Sequence, residues 1–311
     1  MAVEVARKRK LQKPWGVTNP RPWSDPEPAS GAIGEICYER STAARSEPAL
    51  LLKILMTSQP LSIQVHPDDT FAQSIGLPHG KTEAWYVLGA RPGAAVALGL
   101  KHSVVPQQLR QLVDDGSIVE LVSWRPVLVG DTVFVPAGTI HAIGPGLVIA
   151  EIQQRSDATF RLFDHGRDRE LHVDHALAAA RAAPASAQPP PRQLDDGRTL
   201  LAANPHFVFE RLELEPDSIW HLDASRETWL LILHGSARAS AFDVVAGEAV
   251  FAQAERIDLR VGEAGAVCLV AYTGRGGPIP KLLRRVEVPS AMDAYLRVDA
   301  PSQGKSMGAG R

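Results

Sequence analysis

The segment GDTVFVPAGTIHAIG, residues 130–144, most constrains how this chain can fold. Its first two residues favour a turn, residues 132–135 favour a β-strand, and Pro136 and Gly138 interrupt the chain after that strand. His141 then lies at the start of the next strand. The segment therefore predicts two short strands joined by a tight turn, with an imidazole placed where the second strand begins.

Two earlier segments, LSIQVHPDD and HGKTEAWYVLG, are also β-prone runs that end in turns with Gly or Pro. They contribute Gln64, His66 and Glu83, to which the later segment adds His141. One amide oxygen, two imidazoles and one carboxylate are a donor set that suits a borderline divalent metal ion. We therefore predict a metal site carried by β-structure.

The spacing of the polar residues supports a single site. Side chains two positions apart in a strand lie on the same face, so Ser62, Gln64 and His66 are expected to point in one direction. Lys81 and Glu83 have the same spacing. An ammonium group should therefore share the cavity with the metal donors.

The order Gly, five residues, Pro, x, Gly, two residues, His in residues 130–141 resembles the second motif of the cupin superfamily. The first cupin motif usually opens with His-x-His, whereas this chain has Gln64 and His66 there. Together with Gly-Lys-Thr-Glu-x-Trp-Tyr and the run from Glu151 to Arg161, EIQQRSDATFR, the chain is similar to the type I mannose-6-phosphate isomerases (phosphomannose isomerases). The similarity is greatest to the short bacterial form, which lacks an inserted helical domain.

This resemblance runs from about residue 13 to about residue 273 and carries specific expectations. It implies a mainly β fold, with two cupin (jelly-roll β-barrel) domains and a short helical insert. It also implies a zinc-dependent enzyme that interconverts mannose 6-phosphate and fructose 6-phosphate through an enediol or enediolate intermediate. By position, the residues that match the family's zinc ligands are Gln64, His66, Glu83 and His141. Those that match its sugar-phosphate pocket are Ser62, Lys81, Glu151 and Arg161.

Such an isomerisation needs a base to remove a carbon-bound proton and a Lewis acid to stabilise the enediolate that results, so the two groups must converge on the substrate. Glu151 lies in the apolar run VIAEIQQ, where an unpartnered carboxylate would cost free energy to bury, so it is the favoured acid/base candidate. Lys81 is the alternative. Arg161 could stabilise the developing oxyanion through its planar fork of donors. For the phosphate, the candidates are Ser62, Lys81 and Arg161.

Some of these residues also have structural explanations. A lone histidine in a strand is more often a hydrogen-bonded core residue than a metal ligand. Glu83 could form an ordinary surface ion pair with Lys81. Arg161 could pair with Asp157 or Asp164.

Three other functions stay open on the sequence. The chain could isomerise another phosphorylated aldose, or it could be a non-catalytic sugar-binding cupin. An iron-dependent dioxygenase is disfavoured, because Gln64 stands where a third imidazole is usual. Turnover assays, ligand binding and metal content discriminate among these classes.

The formal net charge of −2 argues against nucleic acid or an anionic membrane as the main partner. The resemblance implies a small-molecule sugar phosphate, whose phosphate group must then be bound by local donors. No run approaches the ~20 apolar residues of a membrane helix, and the basic N-terminus is not followed by an apolar signal-peptide stretch. We therefore expect a cytoplasmic protein with no membrane partner. The sequence does not decide between a monomer and a dimer.

Composition shifts along the chain predict four parts. Residues 1–180 would form the catalytic metal-binding cupin domain, with a helical insert that begins near Pro106. Residues 181–198 are rich in Ala and Pro and predict a semi-rigid linker. Residues 199–275 would form a second, degenerate cupin domain, and residues 276–311 a C-terminal extension and tail.

The second half retains only part of the motif. When Gly247 is aligned with Gly130, Asp258 falls at the position of the metal-binding histidine. The polar residues there lack the spacing of a metal site, so surface or strand-end roles are favoured for His221, Glu227 and His234. We therefore predict a second barrel that has lost its metal site.

Overall fold

The computed structural model describes residues 3–26, 31–41, 47–195, 197–274 and 277–287. These residues form a mainly β structure of three antiparallel sheets with four short helices. Among them, no helix combines the length and the apolar character needed to cross a bilayer. The mainly β class predicted from the sequence is therefore confirmed.

Two sheets face each other and form the first barrel. In spatial order, the six-stranded sheet consists of β2 (Arg7–Val17), β3 (Ile33–Glu39), β4 (Leu50–Met56), β11 (Leu147–Gln154), β6 (Glu83–Ala90) and β9 (Thr132–Val135). The five-stranded sheet consists of β12 (Phe160–Phe163), β5 (Ile63–Val65), β10 (His141–Ile143), β7 (Ala95–Leu100) and β8 (Val122–Pro126). Residues from both sheets, among them Leu55, Trp85, Leu98 and Ile143, bury one shared apolar cluster.

The third sheet has ten strands and forms the second barrel. Its main path is β1 (Val3–Val5), β19 (Ala249–Ala252), β17 (Thr228–Ala239), β20 (Glu255–Thr273), β15 (Phe207–Leu214), β14 (Arg198–Ala203) and β13 (Arg192–Asp195). The strands off this path are β16 (Ile219–Ala224), β18 (Phe242–Val245) and β21 (Leu283–Arg285). Strand β1 joins this sheet by pairing with β19.

The helices are α1 (Asp69–Ser74), α2 (Pro106–Asp114), α3 (Ile118–Leu121) and α4 (Val173–Ala179). Proline occupies the first turn of α2, where its missing N–H is not needed. The helix buries Leu109 and Val113 against Ile63 and Val65 of β5. The predicted helical insert therefore exists, and it covers the outer face of the five-stranded sheet.

The segment predicted as a linker is hydrogen-bonded to the first barrel. The backbone N–H of Leu100 donates to the Ala183 carbonyl, at 3.1 Å. The Gln188 side chain accepts from the Phe134 N–H at 2.7 Å and donates to the Phe134 carbonyl at 3.1 Å. Its amide therefore satisfies backbone groups at the edge strand β9, which would otherwise be open to pairing with another chain.

The two barrels share an apolar core. One face of the six-stranded sheet packs against the second barrel in a single buried cluster, which includes Ile36, Tyr38, Leu52, Ile54, Ile152, Phe207, Phe209, Trp229 and Phe251. The Tyr38 hydroxyl also donates to the Gly247 carbonyl at 2.6 Å. The boundaries proposed from composition stay a prediction, and most of the C-terminal extension (residues 276 and 288–311) lies outside the described residues.

A glycine substitution tests the packing of the second barrel. Gly235 has φ +74°, and a Cβ there would lie 1.9 Å from the Gly265 carbonyl oxygen. Gly76 has a similar φ, +82°, but nothing within 4 Å of its Cβ position. We expect Gly235→Ala to lower the free energy of unfolding by about 3 kcal/mol and Gly76→Ala by about 1 kcal/mol, because only the first adds a steric clash to the backbone cost. Urea denaturation measures both, and equal losses would refute the clash.

Candidate metal centre and substrate cavity

A cavity of about 630 Å³ opens in the first barrel between its two sheets. Its lining includes several of the residues singled out from the sequence, namely Ser62, Gln64, Lys81, Glu83, Glu151 and Arg161. Strands β5, β6, β11 and β12 carry Gln64, Glu83, Glu151 and Arg161, and the other two residues lie just before β5 and β6. A cavity of this size is typical of sites for small molecules.

Three of the four predicted metal donors form a buried group at this cavity. His66, Glu83 and His141 are each 1% exposed, and one ligand atom from each lies within 4.8 Å of the others. The two Glu83 oxygens lie 3.4 Å from the Nε2 atoms of His66 and His141, respectively. Within the described part of the chain this is the only such group of three, and it could hold a metal ion.

Hydrogen bonds on the far side of both rings orient the histidines. Nδ1 of His66 lies 2.7 Å from the Ala158 carbonyl, and Nδ1 of His141 lies 2.8 Å from the Thr139 carbonyl. Because a carbonyl only accepts, Nδ1 carries the proton in each ring and Nε2 is left with a lone pair. Burial lowers the pKa of both histidines, so both rings are in the neutral form that binds metals.

Gln64 lies directly opposite His141 in the pairing of β5 with β10. Its Nε2 is 3.3 Å from His141 Nε2, while its Oε1 accepts from the Ser62 hydroxyl at 2.9 Å. A half-turn of the amide would bring its oxygen towards the imidazoles, and the hydroxyl would then accept instead of donate. Gln64 can therefore serve as the fourth donor, with Ser62 holding it in either orientation.

The Lys81 ammonium already places a positive charge among these donors. It donates to Glu83 Oε2 at 2.5 Å and to His66 Nε2 at 2.9 Å. Lys81 precedes β6 instead of lying in it, so the predicted strand spacing is wrong although the side chains do meet. Lys81 is also 6% exposed, which excludes an ordinary surface pair. The ammonium stands in for a metal cation, and the donor set therefore fits one.

Glu151 lies in β11, directly opposite Trp85 of β6, and is 3% exposed. Its Oε2 accepts from the Trp85 indole N–H at 3.1 Å. Burial, reinforced by the negative charge of Glu83, raises the pKa of Glu151 to about 7. This carboxyl group can therefore exchange a proton near neutral pH.

Arg161 reaches the cavity from β12, and its guanidinium donates to the Glu170 carbonyl at 3.1 Å. Asp164, one of its alternative partners, accepts instead from Arg167 and Arg169. Within the residues that the structure describes, no carboxylate is in salt-bridge contact with Arg161. The remaining donors of its guanidinium are therefore available to a ligand.

No protein-family model matches this chain. It is 38% identical to the mannose-6-phosphate isomerase of Streptococcus mutans over 173 residues, which are 53% of this chain and 54% of that relative. It is also 38% identical to the mannose-6-phosphate isomerase ManA of Bacillus subtilis over 135 residues, 41% of this chain and 42% of that relative. These matches span about half the length of the curated relatives.

The similarity of fold extends further. The crystal structure of the mannose 6-phosphate isomerase from Bacillus subtilis aligns with a TM-score of 0.75 at 21% identity, over 88% of this chain and 100% of that one. The chain has the phosphomannose isomerase fold. The resemblance found in the sequence motifs and the cupin fold class are thus confirmed.

Within this phosphomannose isomerase fold, a row of charged side chains lines the cavity wall, and the sequence patterns did not predict it. Lys53, 9% exposed, lies 3.6 Å from Glu35 and 3.9 Å from Glu151. Lys13 pairs with Glu35 from the next strand, at 3.0 Å. The run ALLLKILM contained a signal, because a lysine surrounded by apolar residues needs a buried partner.

The second barrel of the phosphomannose isomerase fold shows no comparable site in its described residues. His221 pairs in register with Asp258, whose side chain is half exposed. The neighbouring positions Leu222, Ile257 and Leu259 are fully buried in the apolar core. Apolar packing therefore occupies the interior of this barrel.

Proposed function

We propose that this protein is a mannose-6-phosphate isomerase, a zinc-dependent aldose–ketose isomerase that interconverts mannose 6-phosphate and fructose 6-phosphate through an enediol or enediolate. The observation that carries this proposal is the buried group of His66, Glu83 and His141 beside a polar cavity that contains Glu151. The names of the relatives and the shared fold support the reaction class.

Zinc suits the donor set of two neutral imidazoles, one carboxylate and the Gln64 amide oxygen. We assign Gln64, His66, Glu83 and His141 as its ligands. When bound, zinc supplies a Lewis acid that polarises an oxygen of the open-chain sugar. Glu83 is the only charged ligand, so the centre keeps a net positive charge.

The side chains in the cavity supply the remaining chemistry. Glu151 accepts the carbon-bound proton and returns it to the neighbouring carbon, while the Trp85 indole N–H holds its carboxylate in place. Lys81 is the alternative base. The Arg161 guanidinium donates to the oxyanion that develops on the sugar. Ser62, Lys81 and Arg161 are our candidates for contacts with the phosphate group.

The decisive experiment is a coupled assay for fructose 6-phosphate with purified protein, run beside elemental analysis before and after chelation. We expect turnover of mannose 6-phosphate, about one zinc per chain in keeping with a single four-ligand site, and loss of both on chelation. Folded, zinc-loaded protein with no turnover would refute the proposal. Faster turnover of another phosphorylated aldose would reassign the substrate, and binding without turnover would indicate a sugar-binding cupin.

The proposed role of Arg161 leads to a separate prediction. Arg161→Lys should keep the bound metal but lower kcat by about 100-fold, because an ammonium group cannot reproduce two parallel donors. Steady-state kinetics and metal analysis on the same preparation test this. The control is Arg256→Lys in the second barrel, which should leave kcat unchanged. Wild-type kinetics in Arg161→Lys would show that Arg161 is structural.

A further inference from the structure

A row of alternating charges crosses one wall of the cavity. The four adjacent strands β2, β3, β4 and β11 present, in this order, Lys13, Glu35, Lys53 and Glu151. The successive nitrogen-to-oxygen distances are 3.0, 3.6 and 3.9 Å. Glu35 and Lys53 are 9% exposed and Glu151 is 3% exposed, so three of the four charges are buried.

The strand register places the Lys53 ammonium group beside the Glu151 carboxylate. The two residues are direct partners in the pairing of β4 with β11, and directly opposite side chains lie on the same face of a sheet. On its other side, Glu151 is the direct partner of Trp85, which donates to it. The carboxylate is therefore held between an ammonium group and an indole N–H.

Lys53 is in turn held by Glu35. Burial works to lower the pKa of Lys53, but the charges of Glu151 and Glu35 outweigh it and raise that pKa above its ordinary value. Burial works to raise the pKa of Glu35, but Lys53 and Lys13 outweigh it and lower that pKa. Both groups are thus charged in the folded protein, as buried charges with close partners are expected to be.

We propose that Lys53, anchored by Glu35, is a positioning residue that holds the Glu151 carboxylate in place for proton transfer. This inference rests on the proposed isomerase function. Lys53 acts through Glu151 and not on the substrate, so its loss should lower kcat and leave KM nearly unchanged. Its effect should also disappear once Glu151 itself has been replaced.

The test compares Lys53→Met with Lys53→Arg. Lys53→Met should lower kcat about 10- to 100-fold, the usual effect of losing a supporting group, with unchanged KM and metal content. Lys53→Arg should recover most of the lost kcat, because it restores the positive charge. In the Glu151→Gln background, Lys53→Met should cause no further loss. A purely structural lysine would lower kcat equally in both backgrounds.

A second variant covers the case in which Lys53→Met does not fold. The double variant Lys53→Met with Glu35→Gln removes one cation and one anion, so the net charge of the row stays the same as in the wild-type protein. It should fold and show the same low kcat. Lys8→Met is the control, because Lys8 is half-buried on β2 and donates to the Trp23 carbonyl away from the cavity.

Several outcomes would overturn the inference while leaving the isomerase assignment intact. These are wild-type kcat in folded Lys53→Met or in the double variant, no recovery in Lys53→Arg, or a large rise in KM at unchanged kcat. The last result would mean that Lys53 contacts the substrate. Inactive wild-type protein would instead refute the proposed function itself, so the two failures are distinguishable.

Discussion

His141→Ala should lower bound metal and isomerase activity together, each by more than about 100-fold relative to wild-type protein at the same free zinc. The substitution removes an imidazole whose Nε2 faces Glu83 and whose Nδ1 is fixed by the Thr139 carbonyl. It also leaves Glu83 with one partner fewer in a site that is 1% exposed. Zinc content by elemental analysis and kcat/KM by the coupled assay are the two measurements.

The control for this prediction is His102→Ala. His102 is exposed, and its ring hydrogen-bonds to the carbonyl of the following Ser103, so neither zinc nor activity should change. Circular dichroism establishes that both variants are folded. Full zinc content in folded His141→Ala would rule out His141 as a ligand. Lost activity at full zinc content would instead make it a substrate contact.

Glu151→Gln should lower kcat about 100- to 10,000-fold while zinc content stays at the wild-type level. Glutamine can still accept from Trp85, but it cannot take a proton from carbon.

The pH dependence should change as well. The pKa of Glu151 is raised to about 7, so the carboxyl group becomes protonated, and useless as a base, as pH falls through that value. Wild-type activity should therefore fall below about pH 7, and the variant should lack this limb.

The control is Glu213→Gln, an exposed carboxylate of the second barrel, which should not alter kcat or its pH profile. If Glu151→Gln keeps more than about a tenth of the wild-type kcat, Glu151 is not the residue that transfers the proton. Lys81→Gln would then be the next variant to measure, since Lys81 is the alternative base. If Glu151→Gln and Lys81→Gln both keep the loss of activity at low pH, neither residue is the base.

Local sequence patterns predicted the elements whose ends are set by the backbone preferences of neighbouring residues. Pro136 and Gly138 end a strand by their own backbone preferences, so β9 and the start of β10 at His141 follow from adjacent residues. Pro106 likewise begins α2. The candidate metal donors were found because each lies in such a locally readable segment.

Contacts between distant strands were harder to predict. Lys53 and Glu35 were missed because their importance depends on β3, β4 and β11 being neighbours, and no local pattern states which strands pair. Lys81 was predicted to lie in a strand, although it precedes β6 and contacts Glu83 from there. The linker was read from composition, which does not reveal that Gln188 bonds to an edge strand.

The two faces of the six-stranded sheet connect the cavity of the first barrel with the apolar core shared with the second barrel. Glu35, Lys53 and Glu151 point into the cavity, whereas their sequence neighbours Ile36 and Ile152 are sealed against Phe207 and Trp229 of the other barrel. A truncated protein that ended after the first barrel would expose this apolar face to water. The strands that carry the acid/base group would then be less firmly packed. The second barrel, whose described residues include no comparable metal site, thus serves as a rigid support for the sheet that carries the acid/base group.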